Sequence, residues 1–428
     1  MPAVMRVACG QIEARDLAEA PRALSEALAM CDAAGAVGAD LFVLPEGTYP
    51  AYVLGSVDAA RRVLDSGPDA EALFAAKAAE HEMSIVVGLV VDSPEGLLNA
   101  AVHIDASGSI RTRTAKQFLW HFDRAWFVAG AAGQVVDGIG TLVCADGRLP
   151  EISAGLVARG ARVLVNSTAW VASMAAPDGT NPQAEFLWRV RALEAGVPAV
   201  AATKVGSESG VCTYSGRSQI VAADGRVVAI ASATAAEVLV GEIEMPDVAR
   251  PPFVDDTVMP TSVTRPPLRS GHAYCVVLSD QSLLSSLEGH EAALVVDESG
   301  VVRADDVAVE CVVGDAMLVP GPARAAARRG CEFVAWIARD VSSPWVEAVA
   351  LARAFENRVF VPVWRPPNDG GPFIAGPSGR VLARTPHPDR RFAVGATCLL
   401  AEASTKQMAP GTDVWDGVSA LRAFATDS

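Results

Sequence analysis

Several common motifs for metal, phosphate and disulfide chemistry are absent from this sequence. The eight cysteines are scattered, with no Cys-x-x-Cys pair and no spacing typical of a small disulfide-stabilised secreted domain. The six histidines form no His-Glu-x-x-His pattern, and no Gly-x-Gly-x-x-Gly or Gly-x-x-x-x-Gly-Lys loop occurs. We therefore expect mostly reduced thiols in the core, no metal and no cofactor.

Positive charge is scarce as well. Lysine and arginine together number 35 against 50 acidic residues, which gives a formal net charge of -15. Nucleic acids and anionic membranes are polyanions that such a surface repels, so neither is expected as a partner. The apolar stretch after Arg6 is interrupted at Gln11, and no uncharged apolar run of roughly 18 residues follows. A cytoplasmic location is the resulting expectation.

Apolar residues, in contrast, are abundant. They make up 51% of the 428 residues, and charged residues only 20%, which suffices for two domains with large cores. Helical and strand-like periodicities alternate in the N-terminal part, which indicates a layered α/β or α+β domain. The predicted strands are 4–10, 41–44, 84–91, 100–105, 161–165 and 198–204; the predicted helices are 17–36, 70–81, 151–160 and 182–195; a terminal hairpin is predicted within 215–244.

A proline-rich segment separates the two parts of the chain. Residues 246–269 contain six prolines and few periodic apolar positions, which is typical of an extended connector. We therefore divide the chain near residue 265. The first predicted domain is 1–265, including the connector from about 246, and the second is 266–428, including a C-terminal tail.

The second part repeats segments of the first in weaker form and in the same order. Both parts share identical Ser-Gly and Arg-Ala-x-Glu residues, whereas generic periodicity would produce only a similar spacing of apolar residues. The matching segments are 99–108 with 291–300, 156–162 with 326–332, 191–194 with 353–356, and 224–229 with 378–383.

Three reactive residue types follow separate predicted segments. Glu46 and Cys144 each come after an apolar strand-like run, and Lys116 comes after the polar segment 111–115. Taken singly, each has an ordinary explanation: an inert core thiol, an exposed strand-end carboxylate and a surface lysine. The polar residues after Cys144, with Pro150 at the predicted first position of a helix, instead indicate a nucleophile on a sharp turn.

The flanks of these three residues resemble the motifs of the nitrilase superfamily of carbon-nitrogen hydrolases, over about residues 4–265. Leu44-Pro45-Glu46 is similar to its glutamate motif, and Lys116-Gln-Phe-Leu119 to its lysine motif. Cys144-x-Asp-x-Arg-x-Pro-Glu151 is similar to its cysteine motif. The resemblance implies an α+β fold, a four-layer αββα sandwich, and a Glu, Lys, Cys catalytic triad.

The resemblance also implies a role for each member of the triad. Cys144 attacks the carbon atom of an amide-type bond, and Glu46 is the general base that later protonates the leaving nitrogen and activates water. Lys116 and the backbone N–H of Ala145 stabilise the oxyanion. Family members often carry a second glutamate shortly after the lysine, and Asp123 occupies that place here.

Asp123 is one methylene shorter than the family's glutamate, so its distance to the triad is open. It is either a fourth catalytic residue or a surface partner of a cation such as Arg124.

Substrate class is indicated by the residues next to the nucleophile. Nitrile-hydrolysing relatives have Trp-Glu after the cysteine, whereas Ala145-Asp146 looks like the amidase and carbamoylase branches, which favours a small-molecule amide or carbamoyl substrate. Arg148 lies where several acid-recognising relatives have an arginine, and a guanidinium binds a carboxylate through a bidentate fork. The alternative is a structural pair with Glu151. Candidates for pocket walls, or else for packing residues, are Trp120, His121 and Trp170.

The repeat in the second part has lost the triad. Counting from the matching segments places Ala308 opposite Lys116, and either Gly314 or Pro320 opposite Cys144. No segment corresponds to the glutamate or to the strands before it. The second domain therefore resembles a truncated, degenerate nitrilase-like copy. Since relatives associate through a helical face, we expect this copy to form an intrachain pseudo-dimer, with a homo-oligomer as a further arrangement.

Two other functions stay open. The thioester could be captured by an amine or alcohol, which would make the protein an N-acyltransferase. Alternatively, the chain is a non-catalytic binding or scaffold protein, an interpretation motivated by the degenerate copy and by Asp123. Three retained triad positions favour an enzyme.

Overall fold

The computed structural model describes residues 3–172, 181–247, 268–287, 291–341, 344–385, 392–409 and 412–415. The chain forms two compact units, unit 1 within residues 1–252 and unit 2 within residues 253–416. The division lies inside the predicted connector, 246–269. Most of that connector falls outside the described residues, as does the predicted tail after residue 415.

Unit 1 is built from helices and strands that alternate along the chain. Its helices are α1 (Ala20–Ala36), α2 (Val57–Ser66), α3 (Ala70–Glu80), α4 (Pro150–Ala158) and α5 (Trp188–Ala195). Its strands are β1 (Ala3–Glu13), β2 (Leu41–Val43), β3 (Ser84–Ser93), β4 (Gly96–Ile104), β5 (Ile110–Ala115), β6 (Val135–Val136), β7 (Ile139–Val143), β8 (Val163–Ser167), β9 (Ala199–Ala202), β10 (Lys204–Val205), β11 (Ser207–Glu208), β12 (Cys212–Thr213), β13 (Gln219–Val221), β14 (Val227–Ile230) and β15 (Glu237–Met245).

The longer strands form two mixed sheets. The first has the order β15-β1-β2-β3-β4-β5, with β10 pairing the end of β1. Within it β1, β2 and β3 are parallel, and β4 is antiparallel to its neighbours β3 and β5. The second sheet has the order β14-β13-β9-β8-β7-β6, in which β7, β8 and β9 are parallel.

Alternation along β1 shows how the layers stack, because successive side chains of a strand point to opposite faces. Val7 and Cys9 are buried in the core between the two sheets. Ala8 and Ile12 are buried in the core that α1 and α3 cover. Helices α4 and α5 pack on the other face of the second sheet. Unit 1 is therefore an α+β fold in four layers, helix, sheet, sheet, helix, as predicted.

The element predictions hold in type and differ at some boundaries. The predicted helix 17–36 begins with a 3-10 turn at Leu17–Glu19 before α1. The predicted helix 182–195 begins with a π-helical segment, Gln183–Leu187, before α5. Helix α2 was not predicted, although Ser56 caps it by accepting a hydrogen bond from the backbone N–H of Ala59 at 3.1 Å.

Unit 2 is a smaller assembly of the same element types. Its helices are α6 (Gly321–Arg328), α7 (Val346–Asn357) and α8 (Leu400–Ser404). Its strands are β16 (His272–Leu278), β17 (Leu294–Asp297), β18 (Gly300–Ala304), β19 (Val309–Val313), β20 (Phe333–Ile337), β21 (Val361–Trp364), β22 (Phe373–Gly376), β23 (Arg380–Arg384), β24 (Ala393–Leu399), β25 (Gln407–Ala409) and β26 (Thr412–Asp413).

Two mixed sheets enclose the core of unit 2. Their orders are β18-β17-β16-β24 and β19-β20-β21-β22-β23. Apolar side chains from both sheets meet in one buried cluster that includes Cys275, Phe333 and Ile374. Helices α6 and α7 pack against the second of these sheets.

Strand direction corrects the first of the sequence matches between the two parts. Residues 99–108 include most of β4 and the turn that leads to β5, and residues 291–300 include β17 and the turn that leads to β18. However, β4 runs antiparallel to β1, whereas β17 runs parallel to β16, the first strand of its own sheet. The matched segments therefore belong to strands of opposite direction, and their similarity is confined to the turn.

Candidate active site

The three triad candidates lie at the ends of strands that belong to both sheets of unit 1. Glu46 follows β2, Lys116 follows β5 and Cys144 follows β7. The backbone N–H of Glu46 donates to the carbonyl oxygen of Thr168 after β8, at 3.3 Å, and so joins the two sheets at this point. The site is thus formed where strand ends of the two sheets meet.

A glycine allows the glutamate segment to reach this position. A Cβ atom on Gly88 of β3 would lie 2.3 Å from the carbonyl oxygen of Pro45 and 2.5 Å from the Cα of Glu46. Both distances are too short for any side chain. Gly88 is therefore required for the close approach of the Pro45–Glu46 backbone to β3.

Lys116 lies between two carboxylates. Its Nζ is 2.7 Å from Oε1 of Glu46 and 2.7 Å from Oδ2 of Asp123, and all three side chains have 0% exposure. The alternative that Asp123 is a surface partner of Arg124 is therefore wrong. The shorter aspartate reaches the lysine because it lies on a 3-10 turn, His121–Ala125, directly after it.

Neutral donors fix both carboxylates of this cluster. Asn99 on β4 donates to Oε1 of Glu46 at 2.7 Å, and the hydroxyl of Tyr52 donates to Oδ1 of Asp123 at 2.9 Å. The second oxygen of Glu46, Oε2, has no hydrogen-bond partner among the described residues. The sequence prediction did not include Asn99 or Tyr52. Asn99 carries a usable signal, since His103 is the only other polar residue of β4.

The electrostatics of the cluster favour a charged lysine beside a proton-accepting glutamate. Burial raises the pKa of Glu46, an effect that Lys116 opposes and Asp123 increases. Burial alone would lower the pKa of Lys116, but the carboxylates of Asp123 and Glu46 outweigh it and raise that pKa well above its usual value. The ammonium form of Lys116 is therefore held throughout the neutral range.

Cys144 stands at the tip of a sharp turn. It has a positive φ of 46°, which is uncommon for a residue with a side chain, and it opens a 3-10 turn, Cys144–Arg148, before α4. The sequence prediction of a turn leading into a helix at Pro150 agrees with this geometry. The Sγ of Cys144 is 4.0 Å from the carbonyl oxygen of Ala169, and the side-chain amide of Asn166 donates to the carbonyl oxygen of Cys144 at 3.3 Å.

Burial favours the protonated form of the Cys144 thiol. Burial raises its pKa to about 12, the Glu46 carboxylate adds to this effect, and Lys116 opposes it. A thiol is a poor nucleophile, so a base must remove the proton during attack.

Asp146 links the cysteine turn to the lysine segment. Its buried carboxylate accepts backbone N–H bonds from Phe118 at 2.8 Å, Gln117 at 3.1 Å and Val143 at 3.2 Å. Burial raises the pKa of Asp146 to about 7, and the three N–H donors and Lys116 oppose that rise. The sequence motif included Asp146, but only the structure shows that it holds the loop after Lys116 against the turn that carries the nucleophile.

An arginine from α5 holds the same turn from the other side. The Arg191 guanidinium donates to the carbonyl oxygens of Gly147 at 3.0 Å and Arg148 at 3.1 Å. It also forms an ion pair with Glu194 at 2.7 Å, in which both side chains are at most 2% exposed. We refer to this arrangement as the arginine clamp.

The candidates for substrate contact lie in different environments. Arg148 is 7% exposed, and its guanidinium lies over the ring of Trp120 at 4.0 Å from the centroid. Ala145 and Trp170 are buried, whereas His121 is exposed and packs edge-on against Phe122. Arg148 and Trp120 are thus brought together as one unit.

Metal-ligating side chains converge at one place in the described residues. Asp32, Glu80 and His81 have ligand atoms within 4.8 Å of one another. However, the Lys77 ammonium forms ion pairs with Asp32 at 2.6 Å and Glu80 at 2.8 Å, so a cation already neutralises this exposed group. In the part of the chain that the structure describes, no helix has both the length and the apolarity that crossing a membrane requires.

Residues 6–252, more than half of the chain, match the family described as carbon-nitrogen hydrolase. This chain belongs to the carbon-nitrogen hydrolase family. The match spans β1 to β15 and includes all four members of the Glu46, Lys116, Asp123 and Cys144 cluster.

Solved structures similar to this carbon-nitrogen hydrolase include several of an amidase from Nesterenkonia sp. AN1. One, titled as an amidase from Nesterenkonia sp., is 24% identical, with 57% of this chain and 91% of that chain covered and a TM-score of 0.49. A double mutant of the amidase in complex with acrylamide is 23% identical, with 57% and 91% covered and a TM-score of 0.49. Comparison with curated proteins gave no match.

The raised pKa of Cys144 in this carbon-nitrogen hydrolase should be visible in the pH dependence of its alkylation rate. In a Glu46→Gln variant, alkylation of Cys144 by iodoacetamide should accelerate about tenfold per pH unit from about pH 7 to 9, because burial persists and only the thiolate reacts. Peptide mapping by mass spectrometry measures the rate, with the exposed Cys311 as an internal reference. A plateau below about pH 8 would show a low-pKa thiolate and contradict this assignment.

Proposed function

We propose that this protein hydrolyses a non-peptide carbon-nitrogen bond of a small amide or carbamoyl compound through a thioester on Cys144. The observation that carries the proposal is the buried Glu46–Lys116–Asp123 cluster, which lies at the same strand ends as the cysteine turn. A nucleophile, a base and a cationic donor for the oxyanion are the groups that acyl transfer from an amide requires.

Each proposed step assigns the proton to a named atom. As Cys144 Sγ bonds to the substrate carbonyl carbon, its proton moves to Glu46, whose Oε2 is open to accept it. Glu46 then gives this proton to the nitrogen as the carbon-nitrogen bond breaks, and ammonia or an amine leaves. Water next attacks the thioester and gives a proton to Glu46. As the carbon-sulfur bond breaks, Glu46 returns this proton to Sγ, which releases the acid and regenerates both the thiol and the carboxylate.

Lys116 supports this sequence because, among the described residues, only two of its three donors have an acceptor. An ammonium has three N–H donors, and Glu46 and Asp123 accept two of them. We assign the third to the oxyanion that forms on the substrate oxygen. Because Lys116 is already held in its charged form, its ammonium would stabilise the negative charge of that intermediate.

Intact-protein mass spectrometry tests the proposed function. Wild type and Glu46→Gln are incubated with a panel of small amides, carbamoyl compounds and nitriles, with Cys144→Ser as the matched control. Water is a weaker nucleophile than a thiol, so loss of the base should slow thioester hydrolysis most and leave an acyl adduct on Cys144. The adduct mass gives the acyl group. The proposal fails if no compound is turned over by wild type and no adduct forms on the variant.

For unit 2 we propose a degenerate copy of the catalytic fold. In both units a central strand pairs antiparallel with a late strand of the unit, β1 with β15 and β16 with β24. The proposal thus takes β16 as the counterpart of β1, which revises the expectation that no segment of the second part corresponds to the strands before Glu46. Both second sheets contain three parallel strands followed by two antiparallel ones. By direction, hairpin β17–β18 corresponds to β3–β4, and Gly96 and Gly300 have similar φ values of 136° and 127°.

The cysteine turn also has a counterpart in unit 2. A 3-10 turn, Gly314–Leu318, follows β19, and Gly314 has a positive φ of 66° where Cys144 has 46°. The Arg353 guanidinium donates to the carbonyl oxygens of Met317 and Leu318, each at 3.0 Å, as the arginine clamp does in unit 1. These contacts favour Gly314 over Pro320 as the residue opposite the nucleophile.

The chain between β18 and β19 of unit 2 has no room for a segment like the one that carries the lysine in unit 1. Only residues 305–308 connect β18 to β19, whereas the corresponding connection in unit 1 carries β5, Lys116 and Asp123. We therefore assign no turnover to unit 2.

A further inference from the structure

A further buried ion pair lies next to the catalytic cluster of unit 1. Lys204 Nζ on β10 is 3.0 Å from Oε2 of Glu208 on β11, and both side chains are at most 2% exposed. The free energy needed to desolvate two buried charges can exceed the attraction between them. A buried ion pair is therefore weak evidence of a purely stabilising role. Its remaining contacts point to another role.

Both partners of this pair bind the backbone that follows Glu46. Oε1 of Glu208 accepts the backbone N–H groups of Tyr52 at 2.7 Å and Val53 at 2.6 Å. Lys204 donates to the carbonyl oxygen of Gly47 at 2.9 Å. The ion pair therefore holds the segment Gly47–Val53, called here the glutamate loop, near both of its ends.

The glutamate loop connects Glu208 to the catalytic lysine. Tyr52, whose backbone Glu208 holds, donates its hydroxyl to Oδ1 of Asp123 at 2.9 Å. The other oxygen of Asp123 forms the 2.7 Å ion pair with Lys116, and the Lys116 ammonium lies 5.6 Å from the centre of the Tyr52 ring. A continuous chain of contacts thus runs from Glu208 through Tyr52 and Asp123 to Lys116.

We propose that Glu208 is a positioning residue for the catalytic centre, which acts on Lys116 through Tyr52 and Asp123. This inference rests on the proposed function and names a residue that neither the sequence motifs nor the triad includes. Both oxygens of Glu208 are engaged, since Oε2 also accepts the hydroxyl of Tyr214 at 2.8 Å. A shift of the carboxylate therefore moves the Tyr52 backbone, and with it the hydroxyl that orients Asp123.

Glu208→Gln is the first variant that tests this role. Its amide oxygen can keep the two backbone N–H bonds, but its NH₂ group faces the Lys204 ammonium and the Tyr214 hydroxyl, so the loop must shift. We expect kcat to fall about 10- to 100-fold, because misplacement by about 1 Å costs up to roughly 10²-fold, and KM to change less than about twofold. Rates are expressed per Cys144 site titrated by alkylation.

A double-mutant cycle with Tyr52→Phe separates positioning from structural support. If Glu208 acts through the Tyr52 hydroxyl, Glu208→Gln should lower kcat by less than about twofold in the Tyr52→Phe background. Equal losses of kcat in both backgrounds overturn the proposal. A lower melting temperature with unchanged kcat per titrated site also overturns it, because that result shows structural support only.

Glu356→Gln in unit 2 is the matched control. It also removes the charge from a buried carboxylate, the 2.7 Å partner of Arg353, and should leave kcat per titrated site unchanged. If Glu208→Gln does not fold, Tyr214→Phe removes a single bond to Oε2 and should give a smaller loss of kcat with the same dependence on Tyr52. An unchanged kcat in Tyr214→Phe then overturns the proposal.

A second readout keeps this inference distinct from the proposed function. The Lys116 charge lowers the pKa of Cys144, so a displaced ammonium should slow alkylation of Cys144 at about pH 8. This rate needs no substrate turnover. If wild type hydrolyses nothing in the panel, the proposed function fails, and the cycle measured on alkylation still decides whether Glu208 positions Lys116.

Discussion

Replacement of Lys116 by methionine is expected to reduce turnover at least about 10³-fold and to destabilise unit 1 by about 3–5 kcal/mol. Methionine fills a similar volume but leaves the carboxylates of Glu46 and Asp123 buried without a countercharge. The pKa of Glu46, which Lys116 now lowers, would rise further, so the base would become protonated as the oxyanion donor is lost. Steady-state kinetics and denaturant unfolding measure the two effects.

A charge-neutral triple variant separates these effects. Lys116→Met combined with Glu46→Gln and Asp123→Asn removes all three charges while nearly conserving volume. Because a buried ion cluster replaced by neutral groups is often tolerated, the triple variant should regain most of the lost free energy of unfolding but none of the activity. Wild-type stability in the single Lys116→Met variant would show that the cluster is not ionised, and would contradict this account.

The candidate site residues could be identified from the sequence because their local flanks carry the signal. Glu46, Lys116 and Cys144 each end a strand in a recognisable motif, and the structure places them at the strand ends of two sheets. Their supporting groups, such as Tyr52 and Glu208, could not be predicted in the same way. Their roles depend on contacts between residues 156 and 71 positions apart, which no local pattern contains.

Asp123 shows a different limit of sequence reasoning. Its position after the lysine was readable, but whether one methylene less would still reach Lys116 depended on backbone geometry. The 3-10 turn at His121–Ala125 supplies that geometry and brings the shorter side chain within 2.7 Å of the ammonium. A surface role and a catalytic role were therefore indistinguishable until the turn was known.

The fold illustrates the same division between local and non-local information. Hydrophobic periodicity predicted most elements of unit 1, because each long helix or strand buries one regular face. It could not assign strand direction, so the match of 99–108 with 291–300 joined two hairpins through their turns alone. In both turns an aspartate, Asp105 or Asp297, accepts the backbone N–H and hydroxyl of the serine two residues later. Such turns form wherever their residues occur.

Breaking the arginine clamp should have different consequences in the two units. Arg191→Met removes the donors to the carbonyl oxygens of Gly147 and Arg148 and leaves Glu194 buried without this countercharge. We expect a stability loss of about 3–5 kcal/mol and a fall in kcat of up to about 10²-fold, because the turn that presents Cys144 is no longer fixed. Denaturant unfolding and kcat per alkylated Cys144 measure the two losses.

Arg353→Met is the matched variant, since it removes the same three contacts around a turn that carries Gly314 in place of the nucleophile. Its stability cost should be similar, yet kcat per titrated site should stay within about twofold of wild type. Hydrogen exchange of the two turns shows which of them has loosened. If unit 2 is a degenerate copy as proposed, this pair of results would mean that the clamp stabilises the fold of the turn, and that catalysis depends on it only in the unit whose turn carries a thiol. A large fall in kcat for Arg353→Met would instead make unit 2 part of the catalytic machinery, and would contradict its assignment as a copy without chemistry.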